Sequence, residues 1–179
     1  MDQRLHPGVS NEDHLRGDLN APVTLTVFGD YECPVSARLW RALRSAAEEC
    51  DPFREVFRHF PLTNVHPHAL LAAQAAEAAG DQGRFWAMHD VLFERQDALE
   101  AGDVAAYAGD LGLDVERLEE DIAYEVFIEA VRRGQRSGIS SGVTTTPTVF
   151  ADGERLVLAE PEDLPEALGR LGHSSVSDA

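Results

Sequence analysis

The chain reads as an α/β domain built in the order βαβ, a helical block, then ββα. Three observations predict this. The hydrophobic period switches from that of a strand over residues 23–28 (VTLTVF) to that of a helix over 34–50. From about residue 66 to 137 the spacing stays helical throughout. Near the end, Asp152-Gly153, the dipeptide of a tight hairpin turn, separates the short apolar runs PTVF and RLVL.

Each element has its own signal. Residues 1–20 are polar and rich in turn formers, and read as an arm that can add a short edge strand. The run 23–28 is β-branched and apolar between Pro22 and Gly29, which predicts a strand buried on both faces. Over 34–50, Val35, Leu39, Leu43, Ala46 and Cys50 form one apolar stripe, and Pro34 sits in the first turn, where a missing N–H costs nothing. Residues 55–60 (EVFRHF) predict a second strand, stopped by Pro61. An alanine-rich helix follows over 68–79, closed by Gly80, and another over 84–95 carries Phe85, Met88, Leu92 and Phe93 on one face. Asp103 is expected to N-cap a short helix ending at Gly112. Asp114 is expected to N-cap a longer one bearing Leu118, Ile122, Val126 and Ala130. Leu164, Ala167, Leu168 and Leu171 mark a last helix before a polar tail, 173–179. The first three elements suit a right-handed parallel crossover, and the hairpin supplies an antiparallel edge.

Composition bounds the function. At 179 residues the chain is expected to be a single domain, 1–179. Its 32 acidic against 15 basic side chains give a formal charge of −17. That repels phosphate backbones and anionic lipid, so neither nucleic acid nor membrane is an expected partner. Two cysteines make neither a disulfide framework nor a zinc ribbon. The start, MDQRLHPGVSNEDH, has no apolar h-region, and no apolar run approaches the roughly 18–20 residues that cross a bilayer. A cytoplasmic protein with reduced thiols is expected.

The chemistry concentrates in FGDYECPVS, residues 28–36. Cys33 stands between a strand and a helix whose first residue is Pro34. Unpaired N–H groups and the positive end of a helix dipole face such a position. The reactive form of a cysteine is its thiolate, which helix N-termini favour, so the position suits a nucleophile. Cys50 instead continues an apolar stripe and reads as packing. The step of seventeen residues from Cys33 to Cys50, as helix, spans about 25 Å, whereas a disulfide needs Cα atoms within about 7 Å. The two thiols are therefore not expected to pair. Asp30 and Glu32 are candidates for moving a proton, or else solvated loop acids. His66 and His68 bracket Pro67, with His59 and His89 in neighbouring segments, but no cysteine or acid cluster completes a ligand set, and no metal is expected. Trp40 and Trp86 read as packing residues.

FGDYECPVS closely resembles the active-site stretch of DsbA-like thioredoxin-fold proteins. The resemblance extends through GDLNAPVTL, HFPL, VHPHALLAAQAAEAAGDQGRFWAMHDVLF, YAGDLGLD and SGVTTTPTVF, from about residue 15 to 151. It is to the short bacterial form, some members of which are fused behind sodium/proton antiporters. The resemblance implies a thioredoxin core over 20–62 and 143–172, interrupted by a helical insert over 63–142. It places the family's nucleophilic cysteine on Cys33 and its resolving cysteine on Ser36, where the match breaks. A serine forms no disulfide, but its hydroxyl can donate a hydrogen bond to a Cys33 thiolate. The resemblance also puts the family's cis-proline loop at Thr146-Pro147, facing Cys33. Pro34, Val35, Thr146 and Pro147 are the implied substrate-binding residues. Relatives often carry glycine where Thr145 stands, which is expected to crowd the loop.

The implied function is monothiol thiol–disulfide exchange, as an oxidoreductase or isomerase. The expected partners are protein disulfides or glutathionylated proteins. No bound cofactor is expected, and glutathione or another low-molecular-weight thiol is the co-substrate. The alternatives are a redox-inactive binding or regulatory module and, further off, a glutathione-dependent transferase or isomerase.

Overall fold

The computed structural model describes residues 4–50 and 52–174. Its strands are β1 (His14–Gly17), β2 (Val23–Gly29), β3 (Phe53–His59), β4 (Thr148–Ala151) and β5 (Glu154–Leu156). Its helices are α1 (Pro34–Glu49), α2 (Ala69–Asp81), α3 (Phe85–Glu94), α4 (Ala101–Asp110), α5 (Val115–Ala123), α6 (Ile128–Ser140) and α7 (Leu164–Ser174). The strands form one sheet in the order β1-β3-β2-β4-β5. β2 and β3 are parallel, from Val23 opposite Phe53 to Gly29 opposite His59, and α1 makes their crossover. The other neighbours are antiparallel. This is the thioredoxin fold of the DsbA type, with α2–α6 lying between β3 and β4.

The expected edge strand is β1, paired with β3 on the outer side. β2 is buried along its whole length, as its composition predicted. Alternation along β2 divides the core. Leu25 and Val27 join the larger cluster with Leu39, Leu43 and Phe57. Phe28 joins a second cluster with Phe60, Val143 and Phe150. No side chain caps the start of α1. A cap contributes about 1 kcal/mol, whereas burying Leu39 and Leu43 contributes about 1.5–3 kcal/mol each. Packing therefore holds α1 in place, and no side chain competes for the N–H groups of its first turn.

Several boundaries differ from the sequence reading. Gly80 lies inside α2, against Phe85 and His14, and the positive φ of 74° falls on Gly83. Glu100, not Asp103, caps α4, and Asp103 stands at the third helical position of a capping box. The helix expected to run on from Asp114 is two helices. Asp114 does cap the first, accepting from the Arg117 amide. Glu125 then adopts φ 53° and the chain turns before α6. The break lets α6 lie directly on the sheet. A Cβ on Gly134 would meet the His59 carbonyl oxygen at 2.6 Å, and one on Gly138 would meet the Phe60 ring at 2.6 Å. The fourfold spacing carried no trace of this, because a left-handed residue interrupts the period without altering the apolar count. The hairpin is shorter than expected: β5 ends at Leu156 and Val157 is exposed. α7 takes in His173 and Ser174. Residues 1–3 of the arm and 175–179 of the tail lie outside the described residues.

Candidate functional site

The loop from Asp30 to Cys33 joins β2 to α1, and Cys33 is the N-cap residue of α1 with extended backbone (φ −78°, ψ 118°). Its Sγ donates a hydrogen bond to the carbonyl oxygen of Thr146, 3.3 Å away. The Thr146-Pro147 peptide is cis, and so the loop expected to face Cys33 does face it. Cys33 is 6% exposed, and its neighbours Pro34 and Val35 stand in solvent. Val35, Thr146 and Pro147 line a groove of about 430 Å³ that continues along 155–161. Thr145, expected to crowd this loop, is exposed and lines the same groove, and its carbonyl accepts from Thr148 Oγ1 at 2.8 Å.

Ser36 departs from its expected part. It is buried, and its Oγ accepts from the Asp30 amide at 3.4 Å. No hydrogen bond joins it to Cys33 among the described residues. The position one turn into α1 is right for a partner of Cys33, but Ser36 is turned toward the strand end. Cys50 C-caps the helix that Cys33 N-caps, and both are free thiols at opposite ends of sixteen residues.

The acids of the loop are held by the segment before α2. Asp30, whose side chain is fully buried, accepts from the Glu32 amide, the Leu62 amide and His66 Nδ1, each at 2.8 Å. Glu32 accepts from the His68 amide at 2.6 Å and from His68 Nδ1 at 2.9 Å. Glu32 is thus a clasp, not a solvated loop acid. His66 and His68, weighed above as metal ligands, each grip a carboxylate of the Cys33 loop.

Two more contacts fix the backbone from the other side. Gln96 Nε2 donates to the carbonyls of Tyr31 (2.7 Å) and Cys33 (2.8 Å). Tyr31 is buried against Phe57 and Phe93, with its hydroxyl 3.0 Å from His89 Nδ1. Burial pushes the Tyr31 phenol well above its usual range and holds His89 well below its own, with the positive charge of Arg16 adding to the latter. Tyr31 is therefore a neutral phenol and His89 a neutral imidazole. Gln96 escaped the sequence reading because one amide after a helix carries no periodicity or motif. The pairing of His66 and His68 with Asp30 and Glu32 was visible only as two short polar strings more than thirty residues apart.

Comparison with known proteins agrees with this fold. Residues 9–170 match the family described as thioredoxin. The Na(+)/H(+) antiporter NhaA 1 of Salinispora arenicola is 43% identical over 145 residues, covering 81% of this chain and 22% of that protein. The Na(+)/H(+) antiporter NhaA of Herminiimonas arsenicoxydans is 44% identical over 156 residues, covering 85% and 24%. The chain thus spans less than a quarter of the length of these curated relatives. Among solved structures, BdbD from Bacillus subtilis superposes with a TM-score of 0.77 at 22% identity, covering 90% of this chain and 92% of that one. A thioredoxin-like oxidoreductase from Silicibacter pomeroyi superposes at 0.78 and 24% identity, covering 92% and 94%. The alpha-DsbA1 of Wolbachia pipientis superposes at 0.77 and 17% identity, covering 98% of each.

Proposed function

The chain belongs to the thioredoxin family and has a DsbA-like fold, and on that premise we propose that it exchanges thiols and disulfides through the single sulfur of Cys33. The carrying observation is the placement of Sγ at the N-cap of α1, 3.3 Å from the Thr146 carbonyl beside the exposed groove.

The reaction has two steps. The Cys33 thiolate attacks one sulfur of a substrate disulfide, the old S–S bond breaks, and the second sulfur leaves as a thiolate that takes a proton from solvent. A low-molecular-weight thiol such as glutathione then attacks the resulting mixed disulfide. It forms a new S–S bond with the substrate sulfur and releases Cys33 as thiolate. No net oxidation of the protein occurs. With Ser36 in place of a second cysteine, the chain stores no disulfide within α1, so the external thiol is the resolving partner. The substrates of this reading are protein disulfides and glutathionylated proteins, in a compartment that supplies reduced thiol.

Leaving the Thr146 carbonyl is part of the first step. The thiol proton bonds that oxygen, and ionisation releases it. The helix N-terminus faces the charge that appears, since first-turn N–H groups and the helix dipole favour an anion there. The cis Thr146-Pro147 backbone then lies beside a substrate bound in the groove.

The test is turnover. Glutathione-dependent cleavage of a glutathionylated peptide should accelerate with the protein and fall to the uncatalysed rate in Cys33→Ser. Equal rates for the two proteins would remove the proposal.

One observation favours a second reading, a binding module without turnover: at 6% exposure Cys33 is more enclosed than a freely attacking thiol. That reading predicts peptide binding in the groove that is unchanged in Cys33→Ser, with no mixed disulfide formed.

A further inference from the structure

At the β1 edge of the sheet, three donor atoms converge. His14 Nε2 and His59 Nε2 lie 3.0 and 2.9 Å from one oxygen, Glu77 Oε1. All three ligand atoms fall within 4.8 Å of one another. We propose that His14, His59 and Glu77 form a binding site for a divalent cation of the zinc class, independent of the chemistry of Cys33.

Donor type and spacing both fit. Two imidazoles and a carboxylate are a usual zinc set, with a fourth position left for water. Ligand bonds of about 2.0–2.2 Å place tetrahedral donors about 3.3 Å apart. The observed separations from Glu77 need to open by only a few tenths of an ångström.

The donors are also held in place. The His14 ring stacks on Phe85 at 3.4 Å between centroids and 6° between planes. The His59 ring is enclosed by Tyr31, Phe57 and Phe85 at 5.8, 5.3 and 5.9 Å. Rings fixed by packing present their nitrogens without further ordering. All three residues line a cavity of about 50 Å³, which exceeds the roughly 10–15 Å³ that a water molecule occupies by the same kind of measure. His14 keeps a quarter of its side chain exposed, which leaves a route in. Glu12, Asp13 and Glu77 line the cavity against Arg58 and Arg133, so acids outnumber guanidinium groups there.

Binding exchanges protons within the rings. Each Nε2 that now donates to Glu77 turns its lone pair to the metal, and the ring proton moves to Nδ1. His59 Nδ1 is buried without a partner. Metal-bound imidazoles ordinarily donate their other N–H to an acceptor, and lacking one costs about 10–100-fold in affinity, so the gap at His59 sets this site among weaker, exchangeable ones.

The test uses the full chain with Cys33 and Cys50 alkylated, so that neither thiol takes up metal. Zinc uptake is followed by equilibrium dialysis, and cobalt(II) is used as an optical probe. The expected results are one equivalent of zinc per chain and the visible absorption of tetrahedral cobalt. Affinity should fall at least tenfold in His14→Ala and in Glu77→Gln, and stay unchanged in His68→Ala. Glu77 is buried and its substitution is a risk to folding. His14→Ala, at a partly exposed edge, keeps the test decisive provided its circular dichroism matches the parent. No uptake at micromolar zinc, or equal uptake by His14→Ala, overturns the proposal.

Discussion

Gln96 Nε2 lies 2.8 Å from the carbonyl oxygen of Cys33, and so the segment after α3 holds the Cys33 backbone. The same nitrogen holds the Tyr31 carbonyl at 2.7 Å. Gln96→Ala removes both bonds. At about 0.5–1.5 kcal/mol per bond, the loss of stability should be about 1–3 kcal/mol, read as a lower urea midpoint. Alkylation of Cys33 should quicken in the same variant, because its loop is no longer tied. An unchanged midpoint and rate would show that Gln96 holds nothing.

Ser36→Cys restores the spacing of a dithiol. Helix neighbours three residues apart have Cβ atoms about 5–6 Å apart, and a small adjustment brings them within disulfide reach. Mild oxidation should therefore remove two thiols by titration and form an internal disulfide. Cys50 should remain free at the other end of α1. A variant that keeps all three thiols under oxidant would contradict the geometry of the loop.

Asp30 and Glu32 look alike in sequence and differ in burial. Asp30→Asn replaces an acceptor of three N–H groups with a side chain that must itself donate. Its fully buried position makes the cost about 3 kcal/mol or more. Glu32→Gln, at a half-buried site with one clasp to His68, should cost about 1 kcal/mol or less. Urea unfolding of the two variants should separate them clearly, and equal midpoints would contradict this difference.

His89 gives the fold a pH dependence with a definite sign. The folded chain holds it neutral by burial, while the unfolded chain protonates it below its ordinary value of 6.5. The unfolded state thus binds more protons, and stability falls as pH drops below 6.5. The slope from this site approaches about 1.4 kcal/mol per pH unit. Glu77 does not enter this window. Burial alone would raise its carboxyl, but hydrogen bonds from His14 and His59 outweigh that and hold it well below its ordinary 4.5. Its stabilisation is complete above that value and is lost only at lower pH. Unfolding of His89→Gln between pH 7.5 and 5 should show a shallower slope than the parent, and identical slopes would contradict the assignment.

Much of the fold was legible because its signals are local. The all-apolar run of β2, Pro34 at the head of α1 and Asp152-Gly153 at the hairpin each declare a conformation within a few residues. The position of Cys33 and the facing of Thr146-Pro147 were legible through a resemblance spread over most of the chain. What stayed hidden depends on partners distant in sequence. The turn at Glu125 exists so that Gly134 can press on His59, and neither residue marks the other. The resemblance puts Ser36 where a partner of Cys33 belongs, yet the Asp30 amide takes its oxygen. Gln96, His66 and His68 join the site only after α2 and α3 have packed.

The central claim is that one sulfur forms and releases disulfides with an outside thiol. Its most direct measurement is mass spectrometry of the protein after brief exposure to oxidised glutathione near neutral pH, followed by reduced glutathione. The account predicts one glutathione adduct, mapped to Cys33, absent in Cys33→Ser, and fully removed by the reduced thiol. An adduct mapped to Cys50 alone, or none under conditions that modify Cys50, would contradict it.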